Sequence, residues 1–282
     1  MIYRARHITR YTYQGPVAHC LSEARLTPRE IAGRQRVIEC TARVTPEPAA
    51  CQTRLDYFGN TVAAFTVLEA HDRLVIDSSS VVETERPRES LDLSPSWEET
   101  RRMLAERPDQ TLLDASEFAW ESPFVPLVAE ASVYAEEVFG PGRPVVDTAR
   151  QVMGRIFADF TYAPASTGIE TPLDTVMWQR RGVCQDFAHV MIAVLRSRGL
   201  AARYVSGYLR SGQGAEASHA WVSVFVPGSG WVDFDPTNNV MPSEDHLTLA
   251  WGRDFGDVTP VKGVATGGGG HTVEVEVRVT PA

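Results

Sequence analysis

The sequence predicts an α+β protein in which strands come first, helices fill the middle and strands return toward the end. Three observations predict this class. Apolar residues alternate with polar ones over roughly the first eighty positions, recur at helical spacing through the middle third, and alternate again after Gly199. With 43% hydrophobic and 22% charged residues among 282, the composition is that of a globular protein with one large or two ordinary domains.

The N-terminal third is predicted to be a small β-sandwich. Strands are expected at Tyr3 to Tyr13, Val37 to Val44 and Thr61 to Leu68, with a turn at Phe58-Gly59-Asn60. Several short strands with turn signals favour a sandwich. The polar run at residues 86–89 marks a boundary, so we predict an N-terminal domain at residues 1–88 and a second domain at 89–282.

Four helices are predicted before residue 183. The first has two alternative start signals, Ser94-Pro95 or Ser96 with Glu99, and the others begin at Pro126, Pro144 and Thr171-Pro172. After them the pattern predicts a further helix and then strands at Ala201 to Leu209, His219 to Val226 and Trp231 to Asp235. Residues 238–266 show little regular pattern. Gly267 to Gly270 precede a strongly alternating segment, which predicts a loop that returns a C-terminal strand to a sheet.

Cys184 stands at the head of the further helix. Apolar residues from Phe187 to Leu195 recur at the spacing of one helix face, and Gly199 suits the position after the helix end. The unpaired N–H groups and the positive dipole end at a helix N-terminus favour a thiolate. We therefore consider Cys184 a candidate nucleophile.

A thiol nucleophile needs a base and a group that orients the base. His219 begins one strand of a predicted hairpin and Asp235 ends the next, because Pro236 cannot donate to a strand ladder. A two-residue loop would place the two side chains on opposite faces. A three-residue loop at 227–229 places Trp221 opposite Asp235 and leaves His219 within diagonal reach. The hypothesis therefore predicts an odd-length loop or a bulge, and it places Asp233 too near the turn to serve as the orienting group.

Each of these signals has a simpler interpretation. A cysteine at a helix start is usually a small buried residue, a histidine on a strand is usually packed and hydrogen-bonded, and an aspartate before proline is usually a turn former. The three residues occur in this order within one compact segment, so together they indicate a catalytic site more specifically than any one of them does alone.

The segments Gly182–Ala188, Ser218–Val222 and Trp231–Thr237 resemble the three core motifs of the bacterial transglutaminase-like superfamily. The segments His7–Tyr13, Arg25–Arg29 and Phe58–Asn60 resemble the β domain that precedes this core in many bacterial members, and Gly252–Pro260 is similar to a late segment of the subgroup. The resemblance implies a papain-like core with a Cys-His-Asp triad.

By this resemblance Cys184 is the nucleophile, His219 the general base and acid, and Asp235 the residue that orients the imidazole. The implied activity is that of a cysteine peptidase or amidase acting through a thioester on a peptide or protein substrate. The alternatives are a protein-glutamine transglutaminase or amide-forming acyltransferase, and a non-catalytic peptide-binding module. The backbone N–H of Cys184 is a candidate oxyanion donor. Trp178, Gln179 and Tyr162 are open as a second donor, although Trp178 and Tyr162 are expected to be core aromatics.

Charge and composition limit the partners and cofactors. A net charge of −9 argues against nucleic acid, because phosphate binding needs clustered cations. The histidines other than His219 have no metal-ligand spacing, and His189 is interpreted as structural. The sequence has no acidic calcium-binding loop. We therefore expect neither a metal nor a cofactor. The Arg253–Asp257 segment fits substrate binding over the cleft and a surface ion pair equally well.

The four cysteines form no two-residue spacing, and a Cys40–Cys51 disulfide is conceivable but not expected. The start of the sequence enters a strand pattern without a secretory signal, and no apolar run is long enough for a membrane span. We therefore expect a cytoplasmic protein with reduced thiols and no membrane partner. The oligomeric state is not predicted.

Overall fold

The computed structural model describes residues 1–86, 94–210 and 218–282, and the domain boundary predicted between residues 88 and 89 lies outside them. The predicted α+β class is confirmed. The N-terminal part contains only strands: β1 (Ile2–Ala24), β2 (Gln35–Thr45), β3 (Ala50–Leu55), β4 (Thr61–Val67) and β5 (His71–Thr84). Strand β3 has no counterpart among the strands predicted from sequence.

The middle of the chain is mainly helical. Its helices, with one 3₁₀ turn at Glu117–Ala119, are α1 (Trp97–Glu106), α2 (Gln110–Ser116), α3 (Ala129–Glu136), α4 (Val145–Asp159), α5 (Leu173–Gln179) and α6 (Cys184–Arg196). Two short strands, β6 (Thr161–Tyr162) and β7 (Arg181–Gly182), pair in parallel beside them. Ser96 caps α1 as predicted, because its hydroxyl accepts from the Glu99 N–H at 3.2 Å. No helix in the described ranges has the length and apolarity to cross a membrane.

The remaining elements are mainly strands: β8 (Ala202–Leu209), β9 (Ser218–Val226), β10 (Gly230–Phe234), β11 (His246–Gly252), the short helix α7 (Phe255–Val258), β12 (Val261–Gly267) and β13 (His271–Pro281). A four-stranded antiparallel sheet has the order β10-β9-β8-β11. The α6 helix packs against β8 and β9, and its residues from Phe187 to Leu195 are buried in the main core.

The expectation of little regular structure over residues 238–266 is wrong, because β11, α7 and most of β12 lie there. The residues of β11 are nearly all buried. Its sequence alternates polar and apolar residues only from His246 to Leu249, which is the shortest run that indicates a strand.

The N-terminal sheet is built around the long strand β1. Its first half pairs with β5 and β13, and its second half pairs with β4 and β12, so a single strand runs through both halves of a curled antiparallel sheet. The C-terminal strand does return to a sheet, as predicted. That sheet is the N-terminal one, in which β13 pairs with β1.

The N-terminal part attaches to the edge of the four-stranded sheet through two side-chain amides. The Gln35 amide accepts from the Thr248 N–H at 2.8 Å and donates to the Thr248 carbonyl at 2.7 Å. The Asn60 amide does the same at Trp251, with distances of 3.0 and 2.8 Å. These bonds satisfy the outer edge of β11, which an edge strand would otherwise leave open. The N-terminal part therefore holds β11 in place.

Candidate active site

Cys184 is the first residue of α6, as the sequence predicts. Its side chain is partly buried and packs against the main core. The residue before it, Val183, has an extended backbone, so the chain enters the helix abruptly and the thiol lies beside the unpaired N–H groups of the first turn. The thiol therefore lies at the positive end of the helix dipole.

The entry to α6 is fixed by Asp186. Its Oδ2 atom accepts the Val183 N–H at 2.8 Å and the Thr167 hydroxyl at 2.7 Å. The same carboxylate fills the space over Gly182, where a Cβ atom would lie 2.4 Å from Asp186 Oδ2. Position 182 therefore requires glycine. Burial raises the pKa of Asp186, while the bonds from Thr167 and Val183 oppose that rise.

The β9–β10 hairpin has a three-residue turn. Val226 pairs with Gly230 and Val222 with Phe234, so residues 227–229 form the loop. Continuing this register by one residue places Asp235 opposite Trp221 and leaves His219 on the same face. The odd-length loop required by the sequence hypothesis is present, and His219 Nε2 lies 2.7 Å from Asp235 Oδ2. Asp233 lies nearer the turn and pairs with Arg34 at 2.9 Å and with the Ser223 hydroxyl.

The structure thus brings together the three residues that the sequence singles out. The thiol of Cys184 lies close enough to His219 to contribute to the pKa of its imidazole, and the Nε2 side of that ring meets Asp235. Burial alone would lower the pKa of His219, but the hydrogen bonds and charges of Asp235 and Cys184 outweigh it and raise the value to about 10. The imidazole is therefore protonated at neutral pH.

The Asp235 carboxylate is fully buried and accepts five hydrogen bonds. Oδ1 accepts the backbone N–H groups of Thr237 at 2.9 Å and Asn238 at 3.2 Å. Oδ2 accepts from His219, from the Asn238 amide at 2.7 Å and from His246 Nε2 at 3.2 Å. Burial would raise the pKa of Asp235, but the bonds from His219, His246 and Asn238 hold it well below its ordinary value. The carboxylate is therefore ionised and fixed in orientation.

Sequence reasoning missed His246 and Asn238. Asn238 is three residues beyond Asp235, a spacing that suits a turn in which the aspartate accepts backbone donors. His246 has no such local signal, because β11 carries it to the site from the far side of β8. The ligand atoms of His219, Asp235 and His246 lie within 4.8 Å of one another, a grouping that could hold a metal ion. In this structure both histidines hydrogen-bond to Asp235 Oδ2, so the three side chains form a hydrogen-bonded cluster.

Two aromatic residues are placed differently from expectation. Trp178 and Tyr162 were expected in the core, but their side chains are 82% and 52% exposed. Tyr162 lies close enough to Cys184 for the thiol to contribute to its raised pKa, after the larger effect of burial. Ile169, whose carbonyl accepts from the Gln185 amide at 3.2 Å, is also exposed. Exposed apolar side chains therefore lie beside Cys184.

The remaining residues considered in the sequence analysis lie in packed or ion-paired surroundings outside the Cys184–His219–Asp235 cluster. His189 is buried between Phe124 and Tyr204, accepts the Phe255 N–H at 3.2 Å, and its pKa is lowered to about 3 by burial. Arg253 and Asp257 form an ion pair at 2.9 Å. Of the two interpretations of this segment, substrate binding or an ion pair, the structure contains the ion pair. All four cysteines are free, so Cys40 and Cys51 form no disulfide.

A cysteine at the head of a buried helix, a strand histidine and a buried aspartate beyond the adjoining strand define the papain-like class of thiol-enzyme folds. Family models agree with this class. Residues 3–83 match the bacterial transglutaminase-like N-terminal region, and residues 133–236 match the transglutaminase-like superfamily core. The chain belongs to the bacterial branch of the transglutaminase-like superfamily.

Relatives of full length and a solved structure agree with this assignment. An uncharacterized protein of Mycobacterium tuberculosis is 36% identical over 99% of this chain and 92% of its own length. A second, from Mycobacterium leprae, is 37% identical over 98% of both chains. A structure described as a candidate cysteine protease from Cytophaga hutchinsonii superposes with a TM-score of 0.79 at 20% identity, covering 99% of this chain and 90% of that one. That similarity shows the shared fold.

A shorter similarity involves a protein with a named activity. A protein-glutamine gamma-glutamyltransferase of Pseudomonas aeruginosa is 35% identical over 96 residues, which is 29% of this chain and 14% of that protein. The activity named for it therefore applies to a much longer chain than the segment that matches.

Proposed function

We propose that the protein is a cysteine peptidase or amidase that cleaves an amide bond through a thioester acyl-enzyme. The observation that carries the proposal is the position of His219, which bonds Asp235 at 2.7 Å and lies close enough to the Cys184 thiol for that thiol to affect its pKa. A nucleophile, a base and an orienting group in mutual contact are the arrangement that acyl transfer requires.

In this mechanism the Cys184 sulfur, as a thiolate paired with protonated His219, attacks the carbonyl carbon of the amide. The developing oxyanion accepts a hydrogen bond from the Cys184 backbone N–H at the start of α6. The C–N bond then breaks as His219 gives its proton to the departing amine, and a thioester remains on Cys184. Water attacks the thioester while His219 takes its proton. The C–S bond then breaks, which releases a carboxylic acid and restores the Cys184 thiolate and protonated His219.

Transfer to an amine is the second candidate for the same thioester. The matching segment of the Pseudomonas gamma-glutamyltransferase supports it, because the match shows that this type of core occurs in a protein named for acyl transfer from glutamine. The two reactions share every step up to the thioester, and they differ in whether water or a primary amine reacts with it. A peptide-binding module without catalysis is the remaining alternative, and the complete triad weighs against it.

The proposed partner is a peptide or protein, bound beside the exposed side chains of Tyr162 and Ile169. We further propose a cytoplasmic location and no nucleic-acid or membrane partner. The free thiols and the net charge of −9 support these expectations. Fractionation of cells that express the tagged full-length protein tests the location.

The experiment that tests the function is a screen of purified protein against amide, glutamine-side-chain and isopeptide substrates, with and without a primary amine. Hydrolysis of a substrate in both conditions supports the peptidase, and product formed only with the amine supports the transferase. The Cys184→Ala variant should fold normally and lose turnover, by about 10³-fold or more. Cys51→Ala, at an exposed thiol far from the triad, serves as the matched control and should retain full activity. Full activity of Cys184→Ala contradicts the proposal.

A further inference from the structure

His246 lies behind the triad, outside residues 133–236 that match the superfamily core. Its Nε2 atom is 3.2 Å from Asp235 Oδ2, and its Nδ1 atom faces the Ser243 N–H at 3.5 Å. Because Nδ1 faces a donor, it is the acceptor nitrogen, and the proton resides on Nε2. His246 therefore donates to the same carboxylate oxygen that accepts from His219.

Packing holds this ring in place. The Trp221 indole meets the His246 ring edge-on with centroids 5.3 Å apart, and it lies 6.2 Å from the His219 ring. A side chain on the intervening strand would obstruct this arrangement, because a Cβ atom at Gly207 would lie 2.4 Å from the Trp221 ring and 2.2 Å from the Leu247 carbonyl. The glycine in β8 thus leaves space for Trp221 to pack against both histidines.

The strand that carries His246 is the one to which the N-terminal part attaches. Gln35 bonds Thr248, two residues from His246, and Asn60 bonds Trp251 on the same strand. A cavity of about 20 Å³, with room for roughly one water, is lined by Arg34 and Glu85 of the N-terminal part and by Trp221, Asp233 and His246. The charged and titratable groups near His246 are therefore Asp235 and His219 directly, and Arg34, Asp233 and Glu85 across the cavity.

We propose that His246 is a positioning residue that holds Asp235, and through it His219, in the geometry needed for thiolate chemistry at Cys184. The N-terminal part then has a defined role, since its bonds to β11 fix the strand that delivers the ring. A donor on each side of Oδ2 keeps the carboxylate from rotating away from His219. This inference rests on the thiol-enzyme function proposed above.

The test replaces His246 by Phe, which keeps a ring against Trp221 and removes the donor, and by Gln, whose amide can replace the Nε2–H. The readouts are the rate of Cys184 alkylation by iodoacetamide at pH 7, the melting temperature, and kcat and KM on a substrate found in the screen. We expect His246→Phe to slow alkylation about tenfold and to lower kcat with little change in KM, because misplaced catalytic groups cost rate. His246→Gln should recover most of the rate.

The matched control is His71→Phe, the same change at a buried histidine that contacts Tyr13 in the N-terminal sheet. It should leave the alkylation rate at the wild-type value. A folded His246→Phe variant with wild-type rates overturns the inference. It is also overturned if the Phe and Gln variants lose the same fraction of the alkylation rate and kcat, and if that loss follows the fall in melting temperature. If wild-type Cys184 shows no selective alkylation, the proposed function itself fails, which is a distinguishable result.

Discussion

His219 reaches Asp235 across a hairpin with a three-residue turn, with 2.7 Å between Nε2 and Oδ2. A turn of two residues would place the two side chains on opposite faces of the sheet. Because Asp235 lies one residue beyond the last paired position of β10, its carboxylate can also accept backbone donors from the turn that follows. This relationship leaves His219 Nδ1 available for the Cys184 thiol.

The charge state of His219 predicts a titration in an unusual range. The hydrogen bonds and charges of Asp235 and Cys184, acting against burial, raise its pKa to about 10. Protein labelled with ¹³C in its histidine rings should show one resonance, absent from His219→Ala, with a titration midpoint near pH 10. Activity needs this proton for the leaving amine, so kcat/KM should fall as pH rises through that midpoint. A midpoint at or below pH 7 contradicts the ion-pair description.

Loss of the orienting carboxylate should be less severe than loss of the nucleophile. We expect Asp235→Ala to lower kcat/KM by about 10⁴-fold, against about 10⁶-fold for Cys184→Ala, as in triads generally. Alanine also leaves buried donors of His246 and Asn238 unpaired, at a cost of about 1–3 kcal/mol each in the free energy of unfolding. Steady-state kinetics and thermal unfolding measure the two effects separately. Equal loss of activity in both variants would argue against a merely orienting role.

The entry to α6 depends on glycine at position 182. A Cβ atom there would lie 2.4 Å from Asp186 Oδ2 and 2.7 Å from Asp186 Cβ, so Gly182→Ala must displace the aspartate. We expect a loss of about 1–3 kcal/mol in the free energy of unfolding, together with slower thiol alkylation, because Asp186 fixes the turn before Cys184. Gly168→Ala is the matched control, since no atom lies within 4 Å of its Cβ position. Chemical denaturation of both variants checks this, and equal stability contradicts it.

The sequence contains enough local information to predict the triad. The apolar periodicity of α6, the start of β9 and the proline after Asp235 are short-range signals, and the hairpin register links two adjacent strands. His246 could not be predicted in this way, because its position depends on the non-local pairing of β11 with β8. The strand itself was missed because its sequence alternates polar and apolar residues over only four positions, His246 to Leu249.

The exposed aromatics illustrate the same limit. Sequence patterns assign Trp178 and Tyr162 to the core, since aromatic side chains are usually buried. The structure leaves both exposed, and Tyr162 lies near Cys184. Apolar residues retained on a surface beside a reactive group are a feature of binding, which propensity does not predict.

The central claim is that Cys184 is an activated nucleophile, and competitive alkylation of the four thiols tests it most directly. Cys51 is exposed, Cys184 is partly buried, Cys20 is buried, and burial raises the pKa of Cys40, so accessibility alone predicts that Cys51 reacts first. Because His219 stabilises a thiolate, we expect iodoacetamide at pH 7 to label Cys184 about tenfold faster than Cys51, and His219→Ala to remove that advantage. Peptide mass spectrometry over time gives the rates. Labelling of Cys51 before Cys184, or equal slow labelling of all four thiols, would contradict the account.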